Sequence, residues 1–239
     1  MNLLSCWTRP PRIVLPEQLR RGTKAYDLMA ALPLVVWYGV SVIAQVHLLR
    51  TQIHRLNFAH LDHILVLTIL SKTAVLLFAT VVIGLLFIRR PPRGGAQGIL
   101  PHVAAILGTY LSVGIVLLPV ADVPAWALAV STVLILGGMT FATHSVLWLG
   151  RSFSLMAEAR QLVTTGPYSV IRHPLYLGEE IAIFGVVIQY ISLYSLPLLA
   201  LQIGCQLYRM RCEEEVLQLS FPEYEAYKEQ TVRLLPGVY

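Results

Sequence analysis

Apolar residues in this chain run together rather than alternating with polar ones. Residues 28–49, 64–88, 99–118 and 124–149 are long stretches nearly free of charge, close to the ~20 residues a helix needs to cross a hydrocarbon core. A polar stretch at 150–174 follows, then two shorter apolar runs at 175–192 and 196–208, then a charged and aromatic tail. Breakers punctuate the runs: Arg89-Arg90-Pro91-Pro92 ends the second, Pro101 and Pro119 bracket the third, and Ser195-Leu196-Pro197 makes a short turn between the last two. Gly94-Gly95 reads as a turn in a short basic loop. The pattern predicts an all-α polytopic integral membrane bundle of about six transmembrane helices (roughly five to seven), with a cytoplasmic C-terminal helical tail. It also predicts a basic N-terminal extension, 1–25, ahead of one domain, 26–239.

Composition narrows the class. Hydrophobic residues make up 56% of the chain and charged residues 13%, about half the usual charged share of a soluble domain. The mean hydropathy is +0.67. A soluble globular fold and a disordered chain are both excluded by these values. Cys6, Cys205 and Cys212 make no disulfide framework and are expected as free thiols near a reducing compartment.

The 18 basic residues against 13 acidic ones speak to orientation rather than to nucleic acid. With both termini inside, every basic residue except Arg50, Arg55 and Lys72 falls on cytoplasmic segments. That places 150–174 and 209–239 on one face of an inner or plasma membrane, or of the endoplasmic reticulum in a eukaryote. The leader can also touch anionic lipid headgroups.

Two segments carry chemistry. The first runs Gly166-Pro167-Tyr168-Ser169-Val170-Ile171-Arg172-His173-Pro174-Leu175-Tyr176-Leu177-Gly178-Glu179-Glu180. Gly-Pro makes a turn, and Pro174 biases His173 away from the helical region at the mouth of a span. Tyr168 alone reads as an interfacial anchor. Glu179 and Glu180 inside an apolar run are costly and point to function. The second segment, Tyr208-Arg209-Met210-Arg211-Cys212-Glu213-Glu214-Glu215, prolongs the last span. Its carboxylates spread around a helix, so at least one faces the bundle or the tail, while its arginines could grip a carboxylate or phosphate. Of the 13 acidic residues, five stand in these two segments.

The order of these motifs resembles the isoprenylcysteine carboxyl methyltransferase family, whose wider group includes membrane phospholipid methyltransferases. Gly-Pro-Tyr before Arg-His-Pro-x-Tyr-x-Gly carries the resemblance. So do Arg209-x-Arg-x-Glu213-Glu214, Phe221-Pro222-Glu223-Tyr224-x-x-Tyr227 and Arg233-Leu234-Leu235-Pro236-Gly237-Val238, with Leu149-Gly150-Arg151-Ser152-Phe153-Ser154 upstream. It covers about 140–239, the expected cofactor-binding half.

The resemblance implies S-adenosylmethionine as methyl donor and an amphipathic, lipid-like or prenylated acceptor reaching the site from the bilayer. It implies cofactor contacts from Tyr168, Arg172, His173, Pro174, Tyr176, Gly178, Glu213, Glu214, Leu235 and Pro236. Arg209, Glu214 and His173 would be catalytic, and Arg209 with Glu180 would hold the substrate. A carboxylate acceptor needs aim more than a base; an amine acceptor would need a base, which His173 or a pocket Glu could supply. The rival readings are N-methylation of a phospholipid amine, a membrane sterol or lipid reductase, and a transporter or scaffold.

Other polar residues weigh less. Lys72, near the middle of an apolar run, is expected to snorkel from a span starting near Ile69. His144 is expected to make a polar contact. His47, His54, His60 and His63 scatter too widely for a compact metal site, and no metal or nucleic acid is expected.

Overall fold

A computed structural model describes residues 24–56 and 62–235. All but the last two residues of the expected 1–25 extension, together with Cys6, His60 and Pro236, lie outside the described residues. The apolar runs form helices: α1 (Lys24–Ile53), α2 (His63–Ile88), α3 (Ile99–Val116), α4 (Ala125–Leu149), α5 (Pro174–Gln189) and α6 (Ser195–Ser220). A short α7 (Tyr224–Gln230) lies in the tail. The all-α membrane bundle read from the sequence is what the chain forms.

Among the described residues, four helices, α1 to α4, are both long and apolar enough to cross a membrane. The expected spans five and six differ for physical reasons. At 16 residues, α5 is about 24 Å long at ~1.5 Å per residue, short of a core of about 30 Å. By contrast α6 is long enough, but buried Gln202, Gln206 and Arg209 interrupt its apolar surface. The lipid-facing surface is clearest on α1, where Val36, Val40 and Ile43 recur at helical spacing and are at least 59% exposed. Helix α2 begins at His63, capped by the Asp62 carboxylate, which accepts from the amides of Ile64 and Leu65. Lys72 therefore lies well inside this helix and is half-buried.

Packing runs in pairs: α1 on α2, α2 on α4, α4 on α5, and α3 on α6. The α4–α5 contact is set by small residues. A methyl group added at Gly138 would meet the backbone nitrogen of Ala182 at 2.5 Å, and one at Gly178 would meet that of Ala142 at 2.7 Å. Ser131 seals the far end of this seam by donating to the Gly185 carbonyl at 2.7 Å. Where lipid is as apolar as the side chains, such close backbone approach supplies the attraction between helices.

Where the polar segment begins, a buried ion cluster joins distant parts of the chain. Asp27 at the start of α1 accepts from Arg89 at the end of α2 at 2.9 Å and from Arg160 at 2.6 Å. Glu158 binds the same Arg160 at 2.6 Å. Gly94 and Gly95 do not merely turn; as strand β1 they pair antiparallel with Glu158 and Ala159, strand β2. Glycine allows this approach, since a methyl at Gly95 would stand 3.3 Å from the Glu158 side chain. Beneath the pairing lies a small core of Ala96, Ala157, Ala159, Val216, Phe221 and Tyr224. Two of the basic segments that the sequence assigned to one face, 89–93 and 151–160, therefore gather with the start of α1 at one end of the bundle.

Cys205 is a free thiol, as expected.

Replacing Gly138 with valine should separate α4 from α5. The expected loss is about 1–3 kcal/mol or more, as for overpacked cores. It would be read as a lower thermal midpoint in detergent, while Gly137→Val, where a methyl meets no neighbour within 4 Å, should leave the midpoint close to wild type.

Candidate active site

The first motif folds as a clasp. Gly166 takes φ +62°, a backbone conformation that suits glycine, and its Cα faces the Trp148 indole so closely that no side chain fits. Residues 166–169 form one 3₁₀ turn, with Pro167 in its first turn. The chain then extends, and Ile171 pairs in parallel with Val232 of the tail. The amides of Arg172 and His173 donate to the carbonyls of Val232 and Arg233 at 2.9 and 3.2 Å. His173 sits at φ −125°, ψ 55°, off the helical region as the following proline requires, and Pro174 begins α5.

Glu214, on the charged extension of α6, is the anchor of this clasp. It accepts from Arg172 Nε at 2.9 Å, His173 Nε2 at 3.1 Å and Arg233 Nη2 at 2.5 Å. Burial alone would raise its pKa, but the bonds from His173, Arg233 and Arg172 outweigh this and hold the carboxyl well below the ordinary range. Arg172 also donates to the carbonyls of Lys228 and Thr231, so the motif, α6 and the tail meet at one carboxylate.

Glu213, one residue earlier, behaves oppositely. Burial raises its pKa, against the pull of Arg209 and His173. It accepts from the Tyr176 hydroxyl. The Tyr176 ring stacks on His173 at 5.5 Å and carries the Arg209 guanidinium over it at 4.9 Å.

These groups line a cleft with a cavity volume of about 90 Å³, among them Tyr168, Arg172, His173, Tyr176 and Glu213, with Tyr224 and Tyr227 from α7. Its opposite wall is the 149–163 segment, including Met156, Glu158 and Arg160. The Tyr224 hydroxyl is buried with no hydrogen-bond partner among the described residues, so it can serve a guest.

Deeper in the bundle, Arg209 is 4% exposed. It donates to Gln206 Oε1 at 2.6 Å and to the Leu155 carbonyl at 2.9 Å, while its Nε has no partner among the described residues. Glu179 and Glu180 accept from Gln206 and Gln202.

The structure thus brings Tyr168, Arg172, His173, Tyr176 and Glu213 to one cleft. It sets Glu214 behind them as an ion-pair anchor. Gly178 lies in the α4–α5 seam, and Pro174 starts α5 without lining the cleft. Glu180 lies one turn beyond Tyr176 on α5 and does not line the cleft. Leu235 is 43% exposed, and Pro236 lies outside the described residues. Sequence reasoning missed Arg160, Met156 and Tyr224 as wall residues; the aromatic tail motif already contained the signal for Tyr224. His144 is exposed, with its ring beside Trp148. Among the described residues no group of three or more His, Cys, Asp and Glu is arranged to hold a metal ion.

Comparison with known proteins bears on this end of the chain. Residues 126–223 match the phospholipid methyltransferase family. That window takes in α4, the motif segment, α5 and α6, as the motifs led us to expect. A nickel-cobalt-cadmium resistance protein of Alcaligenes xylosoxydans xylosoxydans is 35% identical over 100 residues, 41% of this chain and 46% of that protein. A cobalt-zinc-cadmium resistance protein of Cupriavidus metallidurans is 34% identical over the same shares. The match therefore spans about half the length of each relative.

The Glu214 pairing predicts a pH dependence with a definite sign. Its folded pKa lies below the ordinary value of 4.5, so the stability it contributes is complete above that value. It is lost as pH falls below that value toward the depressed pKa. Thermal midpoints measured from neutral to acidic pH should fall below about pH 4.5 in the wild type. Glu214→Gln should be less stable at neutral pH by about 3–5 kcal/mol, because it leaves buried cations unpaired. It should also lack that acidic step.

Proposed function

We propose that this chain transfers a methyl group from S-adenosylmethionine to a lipid-like acceptor at the membrane boundary, and that the acceptor is the carboxylate of an isoprenylated cysteine or an analogue. The observation that carries the reading is the cleft itself, in which two motif segments and the tail enclose a stacked His173–Tyr176 pair beside Glu213. The residues fit the donor. Aromatic faces and a carboxylate suit a cationic, ring-bearing guest, and the Tyr224 hydroxyl still lacks a partner. Tyr168, His173, Tyr176, Glu213 and Tyr224 would hold the donor, with Arg172 held in place by Glu214. When bound, S-adenosylmethionine supplies an electrophilic methyl group.

The chain's own residues position and exclude water. Pairing of the tail with 170–173 seals one side of the cleft. Arg209, stacked on Tyr176 with its Nε unpaired, can receive one oxygen of a carboxylate and aim it toward the cleft.

A second reading, methylation of a phospholipid amine, is favoured by one observation. Glu213 borders the cleft with a raised pKa, which suits it to accept a proton that an amine must lose. The metal resistance in the relatives' names fits either reading, as an enzyme that alters a membrane component.

Calorimetry on detergent-purified protein tests the reading. S-adenosylmethionine should bind and NADPH should not; the reverse would mark a reductase, and neither binding would favour a transporter or scaffold. His173→Ala and Glu213→Gln should each weaken donor binding by about tenfold or more. Labelled donor offered with farnesyl-cysteine and with phosphatidylethanolamine decides between the acceptors. Arg209→Lys should lower turnover on farnesyl-cysteine while sparing donor affinity, because lysine lacks the planar fork.

A further inference from the structure

A second cavity lies under the loop between α2 and α3, apart from the residues beside His173. Its volume is about 250 Å³, room for about eight water molecules at ~30 Å³ each. Tyr26 near the start of α1 lines it, with Arg93 and Gln97 of the loop and Pro101 and His102 in the first turn of α3. Another wall is the 156–158 segment, whose Met156 and Glu158 also border the cleft. Helices α1 and α3 are both long and apolar enough to cross a membrane, so the cavity sits at the boundary where two such helices begin.

Its polar groups are unevenly matched. The Arg93 guanidinium lies over the Phe221 ring, 5.6 Å from its centre, and has no ion-pair partner among the described residues. Glu158 brings a carboxylate, but Arg160 already pairs with it at 2.6 Å and Ser154 donates to it at 2.7 Å. The uncharged groups are acceptors. Gln97 Oε1 is sealed from water with no hydrogen-bond partner among the described residues, and an amide stays neutral whatever the pH. His102 Nδ1 lies 2.7 Å from the Gly98 carbonyl. A carbonyl can only accept, so Nδ1 donates and the neutral ring offers Nε2 as an acceptor. A fitting guest therefore brings negative charge to Arg93 and donors to Gln97 and His102. Those donors are hydroxyls, because an ammonium would meet no unmatched carboxylate. Apolar surface continues from the cavity along α3, where Ile99, Val103 and Ile106 recur at helical spacing and are at least 40% exposed.

We propose that this cavity is a lipid site distinct from the cleft, taking the hydroxyl-bearing headgroup of an anionic phospholipid. Arg93 holds the phosphate, Gln97 and His102 accept from the hydroxyls, and the acyl chains run along α3. Basic pockets between membrane helices suit such headgroups. A headgroup of phosphate and hydroxyls offers neither amine nor carboxylate, so this lipid is a bound component and not a methyl acceptor. The inference stands whatever the cleft does.

The test is native mass spectrometry of the full chain in detergent, titrated with phosphatidylglycerol, phosphatidylmethanol and phosphatidylcholine of identical chains. The first two share a negative charge, only the first has hydroxyls, and the third is zwitterionic. Phosphatidylglycerol should saturate a single site about tenfold tighter than phosphatidylmethanol, the scale of one or two hydrogen bonds. Phosphatidylmethanol should in turn bind tighter than phosphatidylcholine. Gln97→Leu and His102→Phe should each shrink the first preference, and Arg93→Gln should erase the second. Equal binding of phosphatidylglycerol and phosphatidylmethanol would overturn the proposal. So would uptake that does not saturate at a single lipid, or folded variants that keep both preferences. Soluble glycerophosphoglycerol separates a free phosphodiester from a lipid. It should bind about tenfold more weakly or worse, and affinity equal to the lipid's would overturn the assignment. If a variant does not fold, the probes on the wild type still decide. None of these readouts involves S-adenosylmethionine, so failure of the methyl-transfer reading leaves this proposal standing.

Discussion

A carboxylate removed from water must be matched by donors, and in this chain Glu214 is the carboxylate on which the functional end depends. It receives Arg172 and His173 from the entry to α5 and Arg233 from the tail. No one of these segments could take its place alone: the tail has one short helix, and the 150–173 stretch has only brief turns and a two-residue strand. Their backbone pairing, Ile171 with Val232, is held by ion pairs at its edge. With the anchor in place, His173 and Tyr176 face Glu213, and the cleft follows from that arrangement rather than from any preformed helical groove.

The second buried charge cluster works on the same principle at the other side of this end. Asp27, Arg89 and Arg160 come from three elements far apart in sequence, and all three are nearly sealed from solvent. Removing one partner of such a buried pair leaves an uncompensated charge and costs about 3–5 kcal/mol. Here the pairs fix where the start of α1 and the end of α2 meet the wall of the cleft, since Glu158 and Arg160 belong to that wall as well.

Away from this end the bundle obeys different physics. Lipid offers no hydrophobic penalty for separated helices, so the α4–α5 seam relies on glycines that let backbones touch. Gly178 illustrates how one motif serves two purposes. It sits among residues of the cleft in sequence, yet the helix turns it toward α4. Tyr176 and Glu213 reach the cleft because helical spacing sends them to other faces.

Much of the bundle was legible in the chain. Six of the helices were visible as apolar runs; for α1 to α4 the reason is that an element that faces lipid must satisfy its own backbone and carry apolar side chains along its length. The breaker at Pro91-Pro92 fixed where α2 ends, whereas Ser195-Leu196-Pro197, read as a turn, instead forms the first turn of α6. The concentration of carboxylates and arginines beside His173 pointed to the site, since charges near a membrane are too costly to be incidental. Sequence alone could not separate Glu213 from Glu214. They are adjacent, of one type, and differ only in which neighbours a helix of 3.6 residues per turn presents to each. Nor could it foresee that Gly94-Gly95 pairs with Glu158-Ala159, that Asp27 meets Arg160, or that Gln97 and His102 share a cavity with Glu158. Each of these joins residues distant in the chain, and side-chain satisfaction is a property of the assembled fold. The sequence determined the elements and the neighbourhood of the site; tertiary structure decided which charges pair, which remain open, and therefore what the site can hold.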